Sequence, residues 1–325
     1  MTAKRTSRGW ARWLVVAVAG VLALSGCGAS GSSEGGASGD GVTIAHARGE
    51  TVIEGTPSRI VALGNQWLDS VQALGVTPVG YVDNVAALAR ATPPWEPESL
   101  QEAKALDPGG DIAEQVAGLA PDLILADPFI ADQQTYDKLS KIAPTLPALT
   151  SDAVSPWQDQ VRTLGTVLGK QDEADRVIAD VDAKINSIAE ANPGLAGKTF
   201  VSTWLVGPTQ LMVLNDPNDG SSKVFTQLGM TIPENVRALP SSQGRVSLSP
   251  ERLSELSADL LIAGHSPGMD EKYRQLPGYA ELPAVRKDAV VFLDNTETSA
   301  VNQPTALSLP YILDKLEPAL VNAAK

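Results

Sequence analysis

The chain has 325 residues, with 25 Lys or Arg against 38 Asp or Glu, a formal net charge of −13. That balance excludes a nucleic-acid partner, because phosphate binding needs an excess of basic surface, and it excludes electrostatic adhesion to anionic lipid. One cysteine and two histidines rule out a disulfide and a Cys-based metal cluster, and leave little for acid–base or thiol chemistry.

Lys4, Arg5, Arg8 and Arg12 form a basic start, and Trp13–Leu24 is an apolar run too short for a comfortable membrane span. Leu24-Ser25-Gly26-Cys27 follows, and it looks like a lipobox. The expectation is a lipoprotein signal peptide over 1–26, cleavage before Cys27, and lipid on that cysteine. Without the signal cations the remainder carries 21 basic and 38 acidic side chains, net −17. Residues 27–41 continue as a Gly/Ser-rich flexible tether, so the lipid chains do the anchoring by burying methylenes.

An N-terminal α/β lobe is expected over 42–156. Short strands broken at Gly49 and Gly55 lead to a buried strand at Arg59–Leu63, a helix near Leu68–Leu74 ending at Gly75, and a strand at Thr77–Val82. Residues 83–110 show little regular pattern. A helix over 112–119 then feeds the strand Leu123–Ala126, and Gln133–Lys141 reads as helix. A helical connector is expected over 157–194. Within it, 172–191 places Ala174, Val177, Ile178, Val181, Ile185 and Ile188 on one stripe, with Asp172 as candidate N-cap and Asn192-Pro193-Gly194 as terminator. A C-terminal lobe over 195–325 restarts the pattern: a strand at Thr199–Trp204, a hairpin partner at Leu211–Leu214, helices at Ser222–Leu228 and 250–257, strands at Leu260–Ala263 and Ala289–Leu293, and a last helix at Thr305–Val321.

Two stretches repeat. Glu114–Asp127, EQVAGLAPDLILAD, matches Glu251–Gly264, ERLSELSADLLIAG, at an offset of 137 residues. The glutamate, a leucine, an Asp-Leu pair and an alanine coincide. Upstream, Ala73-Leu74-Gly75-Val76 answers Gln227-Leu228-Gly229-Met230. The fold class that follows is α/β, with two Rossmann-like lobes of parallel strands and crossover helices, joined by one long α-helix and enclosing a cleft. Ligands of such sheets bind beyond the carboxyl ends of the strands. That selects the loops at Asn65–Trp67, Tyr81–Asn84, Trp95 and Asp127–Phe129 in the first lobe, and Trp204, Arg245, His265-Ser266 and Asp294-Asn295 in the second.

Several segments in order, TIAHARG (43–49), PSRIVAL (57–63), LGVTPVG (74–80), EQVAGLAPDLIL (114–125), KIAPT (141–145), VSLSPERL (246–253) and LPAVRKDAVVF (282–292), resemble the iron-siderophore-type substrate-binding proteins of ABC importers. The resemblance implies a bilobed, helix-backed monomer, tethered outside the cell membrane, that delivers its ligand to a membrane permease. It also implies that Glu114 and Glu251, one on each lobe and at equivalent places in the repeat, pair with arginines of that permease. The bland alternative for both glutamates is complementing a helix dipole.

Such ligands are ferric siderophores, with haem or cobalamin as alternatives, and all are large with apolar faces. Aromatic and arginine side chains suit them. Trp67, Trp95, Phe129 and Trp204 are therefore the aromatic candidates, Arg245 the anion partner, and His265 a hydrogen-bonding group or haem ligand. Arg90 and Tyr81 are weaker candidates, and His46 falls in the first of the matching segments as a structural residue. No protein metal ligands and no resident cofactor are expected, since a chelator already satisfies its iron. A non-transport haem-binding or sensory lipoprotein is the second reading. The chain lacks a Gly-x-Ser-x-Gly elbow, His-Glu-x-x-His, a Walker loop and a Gly-x-Gly-x-x-Gly turn before a helix, which argues against an enzyme.

Overall fold

The computed structural model describes residues 41–325. The expected signal peptide, Cys27 and the tether up to residue 40 lie outside the described residues. A hairpin of β1 (Val42–His46) and β2 (Gly49–Ile53) precedes the first sheet. That sheet holds β3 (Ile60–Leu63), β4 (Gly80–Val82), β5 (Lys104–Ala105), β6 (Leu123–Ala126) and β7 (Thr145–Leu146). Its order is β5-β4-β3-β6-β7, all parallel. The sheet is covered on both faces, so its central strands read as unbroken apolar runs, IVAL and LILA. Alternate residues serve different cores: Ile60, Ala62, Leu123 and Leu125 join the main one, while Val61, Leu63, Ile124 and Ala126 join a second on the opposite face. The helices of this half are α1 (Asn65–Ala73), α2 (Asn84–Ala89), α3 (Ile112–Ala117) and α4 (Gln133–Leu139). The irregular stretch 83–110 thus contains a short helix, capped by Asp83, and an edge strand of two residues, too short to leave a periodic signal.

Helices α5 (Trp157–Leu168) and α6 (Gln171–Ala191) follow, then α7 (Gly220–Gln227), α8 (Glu234–Arg237), α9 (Asp270–Arg274), α10 (Pro283–Arg286), α11 (Asn295–Asn302) and α12 (Ser308–Ala323). The second sheet is built from β8 (Phe200–Gly207), β9 (Gln210–Leu214), β10 (Arg245–Leu248), β11 (Leu260–His265) and β12 (Val290–Leu293), in the order β10-β9-β8-β11-β12. β8, β11 and β12 pair in parallel, while β9 pairs antiparallel with both β8 and β10. The hairpin partner expected at Leu211–Leu214 is β9: Pro208-Thr209 between β8 and β9 is a hairpin turn, whereas a parallel crossover needs a dozen residues or more. The expected helix over 250–257 is a 3₁₀ turn, Pro250–Glu255.

Helix α6 matches its expectation to one residue, and Ala174, Ile178, Val181, Ile185 and Ile188 are buried as the stripe requires. Asp172 is not its cap. Lys170 takes that position without a side-chain cap, and Asp172 and Glu173 sit in the first turn, where negative charge meets the positive helix end. The helix packs against α5 and against α7 and α12, so it touches elements from both halves of the chain.

The internal repeat has a physical basis. Asp122 accepts hydrogen bonds from the Ser58 amide (2.8 Å) and hydroxyl (3.0 Å), and Asp259 accepts from the Thr199 amide (3.0 Å) and hydroxyl (3.0 Å). Each aspartate opens a strand and clamps the start of the neighbouring one, β6 to β3 and β11 to β8. Gly75 (φ 70°) and Gly229 (φ 83°) both end a helix in the left-handed region. In each case the next amide reaches back five residues, Val76 to Val71 and Met230 to Phe225.

Candidate functional site

A cleft lies between the loop past the carboxyl end of β6 and the middle of β8 and β9, and Phe129 stands at its centre. This side chain follows β6, is 54% exposed, and borders three adjoining spaces of about 240, 270 and 660 Å³. Ligand pockets fall in roughly the 300–1,000 Å³ range. Opposite Phe129 lie Trp204 on β8, Met212 on β9 and Arg245 on β10. Toward the first lobe the cleft is bordered by Arg48 in the β1–β2 turn and by Asp152 in the loop before α5. Trp204 Nε1 and Gln303 Oε1, both in residues of the cleft wall, have no protein partner.

Arg245 is held rigidly. Its Nη1 donates to Asp219 Oδ2 (3.1 Å) and to the Gly244 carbonyl (3.2 Å), and its Nη2 to Asp219 Oδ1 (3.3 Å) and Ser221 Oγ (3.1 Å). Asp219 is almost wholly buried and also caps α7 by accepting the Ser221 amide. Arg48 donates to the Ala131 and Asp132 carbonyls and lies 4.7 Å from the Tyr136 ring centroid, which ties the hairpin to the β6–α4 segment.

The structure therefore brings Phe129, Trp204 and Arg245 together. Trp67, Trp95 and His265 are not among the side chains bordering these three spaces, and the expectation for Trp67 is corrected. Trp67 is fully buried in the main core, because α1 begins three residues earlier than its apolar spacing suggested and turns Asn65–Trp67 from a loop into the first helical turn. Trp95 donates its Nε1 to Asp69 Oδ2 (3.1 Å) and packs 5.6 Å from the Tyr311 ring of α12. His265 is half-buried beside Phe292, with Nδ1 3.2 Å from the Ser266 carbonyl, so the candidate haem ligand faces an aromatic cluster of its own lobe. Tyr81 is half-buried against the core, Arg90 is exposed, Asp294 is spent on capping α11 together with Glu297, and Asn295 is buried in the first turn of that helix. His46 is buried and bonded to Thr51. Sequence reasoning missed Arg48, Asp152, Met212 and Gln303. Arg48, Asp152 and Gln303 project from a turn, a loop and a helix end, where no periodicity marks which way a side chain faces, and Met212 sits on the inner strand β9.

Beneath the cleft lie buried carboxyls. Asp127, wholly buried, accepts the Gln66 amide (3.1 Å) and so satisfies an orphan donor of α1, which has no cap of its own. Gly64 makes that possible: it holds φ 109°, and a Cβ there would overlap the Asp127 carboxyl. Asp69 Oδ2 takes hydrogen bonds from Trp95 and, at 2.6 Å, from the Thr305 hydroxyl, which joins α1 to the segment before α12. Burial pushes Asp69 up to about 7 and Asp127 up to about 8, against the opposing pull of those hydrogen bonds. Burial, with Asp83 alongside, raises Glu96 to about 7.

Glu114 and Glu251 are both exposed, in the first turns of α3 and of the Pro250–Glu255 turn, with no ion-pair partner among the described residues. Among the same residues no helix is long and apolar enough to cross a membrane.

Residues 60–297 match the model of the family described as periplasmic binding protein. The chain belongs to that family. Among curated relatives, the Fe(3+)-citrate-binding protein YfmC of Bacillus subtilis is 27% identical over 284 residues, covering 84% of this chain and 85% of the relative. Among solved structures, a periplasmic solute binding protein from Mycobacterium smegmatis is 28% identical, with a TM-score of 0.72 over 88% of this chain and 99% of its own. The iron uptake ABC transporter substrate-binding protein PiaA of Streptococcus pneumoniae is 25% identical, with a TM-score of 0.69 over 87% of this chain and 99% of its own. As a periplasmic binding protein the chain is placed in a family of binding proteins.

Proposed function

We propose that this chain is the extracytoplasmic receptor of an ABC importer and captures an iron(III) chelate of the siderophore type. The observation that carries the reading is the meeting of Phe129, Trp204 and an immobilised Arg245 across one cleft. Flat aromatic faces cover a bulky ligand at low entropy cost, and a fixed wall limits the ordering needed on binding. The names of the relatives, which bind ferric citrate or serve iron uptake, support the same ligand class. Lobes over 42–156 and 195–325, connected through 157–194, belong to this reading, as do lipid anchoring at Cys27 and a monomeric body.

Glu114 and Glu251 then serve as the permease-facing pair, each exposed and unpaired on its own lobe. Titrating the intrinsic tryptophan fluorescence with ferrichrome, ferric citrate, a ferric tris-catecholate and haem tests the ligand class; no response to any iron(III) chelate would sink it. Charge reversal at both glutamates is expected to abolish uptake while leaving chelate affinity unchanged. Retained uptake, or lost affinity, would remove them from docking.

A further inference from the structure

Three charged side chains border the cleft: Arg48, Asp152 and Arg245. Behind Arg245 stands Asp219, so the four groups sum to zero charge. Arg245 offers no free fork. A guanidinium has five N–H donors, and in Arg245 both those on Nη1 and both those on Nη2 are already engaged, by Asp219, Gly244 and Ser221. Only its Nε–H is uncommitted. Arg48 spends one donor of each Nη on the Asp132 and Ala131 carbonyls and lays its face toward Tyr136, with Asp152 bordering the same space.

Bidentate arginine is the usual means of holding a carboxylate or another dense anion, and this cleft has tied Arg245 down, with Asp152 facing the space that Arg48 borders. What it does present is apolar. Phe129 and Val206, two of the most exposed large hydrophobic side chains of the described residues, both border it, beside Trp204 and Met212. The strongly acidic body adds a field that repels anions at long range.

Resting on the proposed chelate-receptor reading, we infer that the ligand is an uncharged iron(III) chelate of the tris-hydroxamate type, and that Asp219 sets this choice by neutralising Arg245. Three singly charged hydroxamates cancel iron(III), and their methylene linkers offer apolar surface to Phe129 and Val206. A tris-catecholate is triply anionic, and polycarboxylate chelates are anionic as well.

The test is a fluorescence titration of the wild-type protein with ferrichrome, ferric citrate and a ferric tris-catecholate, at low salt and at about 0.5 M NaCl. Ferrichrome is expected to bind at least roughly tenfold tighter than either anion, with little dependence on salt. In Asp219→Asn, whose amide oxygen can still cap α7, the freed charge of Arg245 should shift the affinity ratio toward the anions by about threefold or more. Tighter binding of citrate or catecholate by the wild type overturns the inference and leaves the receptor reading intact. So does an unchanged ratio in an Asp219→Asn protein of native circular dichroism. If that variant does not fold, the wild-type ranking decides alone. Failure of every chelate to bind overturns the receptor reading itself.

Discussion

Replacing Asp69 by Asn should change how stability depends on pH. Asp69 is 3% exposed and joins α1 to Trp95 and to Thr305 through one oxygen, Oδ2. An aspartate in an unfolded chain loses its proton near ~3.9. Burial keeps the proton on Asp69 up to about 7. Between those values the folded state holds the extra proton, so stability falls as pH rises and levels off once the folded group has ionised. A gap of about three pH units at roughly 1.4 kcal/mol each gives at most ~4 kcal/mol, present near pH 4 and gone by about pH 8. Both donors reach a single oxygen, so the amide oxygen of Asn can accept both. Asp69→Asn should therefore melt within ~1 kcal/mol of the wild type at about pH 4.5 and be the more stable protein at about pH 8, by ~5–10 °C. Thermal unfolding by circular dichroism across that range reads the difference. Parallel curves for the two proteins would refute the argument, because they would mean that the carboxyl is not kept neutral by burial.

Gly64→Ala should destabilise by ~2–4 kcal/mol in urea titrations, since the new Cβ overlaps the Asp127 carboxyl at a backbone angle L-residues avoid. Asp122→Ala and Asp259→Ala should each cost ~1–2 kcal/mol at neutral pH through lost strand clamps. Hydrogen bonds, from Ser58 and Arg59 to Asp122 and from Thr199 to Asp259, overcome the opposing effect of burial and hold both carboxyls below the ordinary aspartate value, so both penalties should fade only as pH drops through that lowered range. Small-angle scattering should show a radius of gyration changed by less than about 1 Å when ferrichrome binds. The body is braced by α6, by α2 packed on α11, and by the Asp69–Thr305 bond, and a larger compaction would mean these contacts break.

How much of this was legible beforehand differs from residue to residue. Glu114 and Glu251, the paired aspartates and the two helix-ending glycines were readable because they recur at matching places in one sequence. Phe129 was readable as an aromatic just past a buried strand. Trp67 had the same credentials and is core, since α1 starts three residues earlier than its spacing suggests and places Trp67 in the first helical turn, packed inward.

The sequence by itself determined the alternation of strands and helices, the apolar stripe of α6 and the two-lobe repeat, all of which follow from local periodicity and turn chemistry. Tertiary structure alone decided which side chains meet. Asp219 and Arg245 are 26 residues apart, and Asp69 and Thr305 are 236 apart. No local pattern records such pairings, because they exist only once the sheets have fixed where each loop ends. The neutral balance of the cleft and the raised carboxyls beneath it belong to that second kind of information, set by burial and proximity.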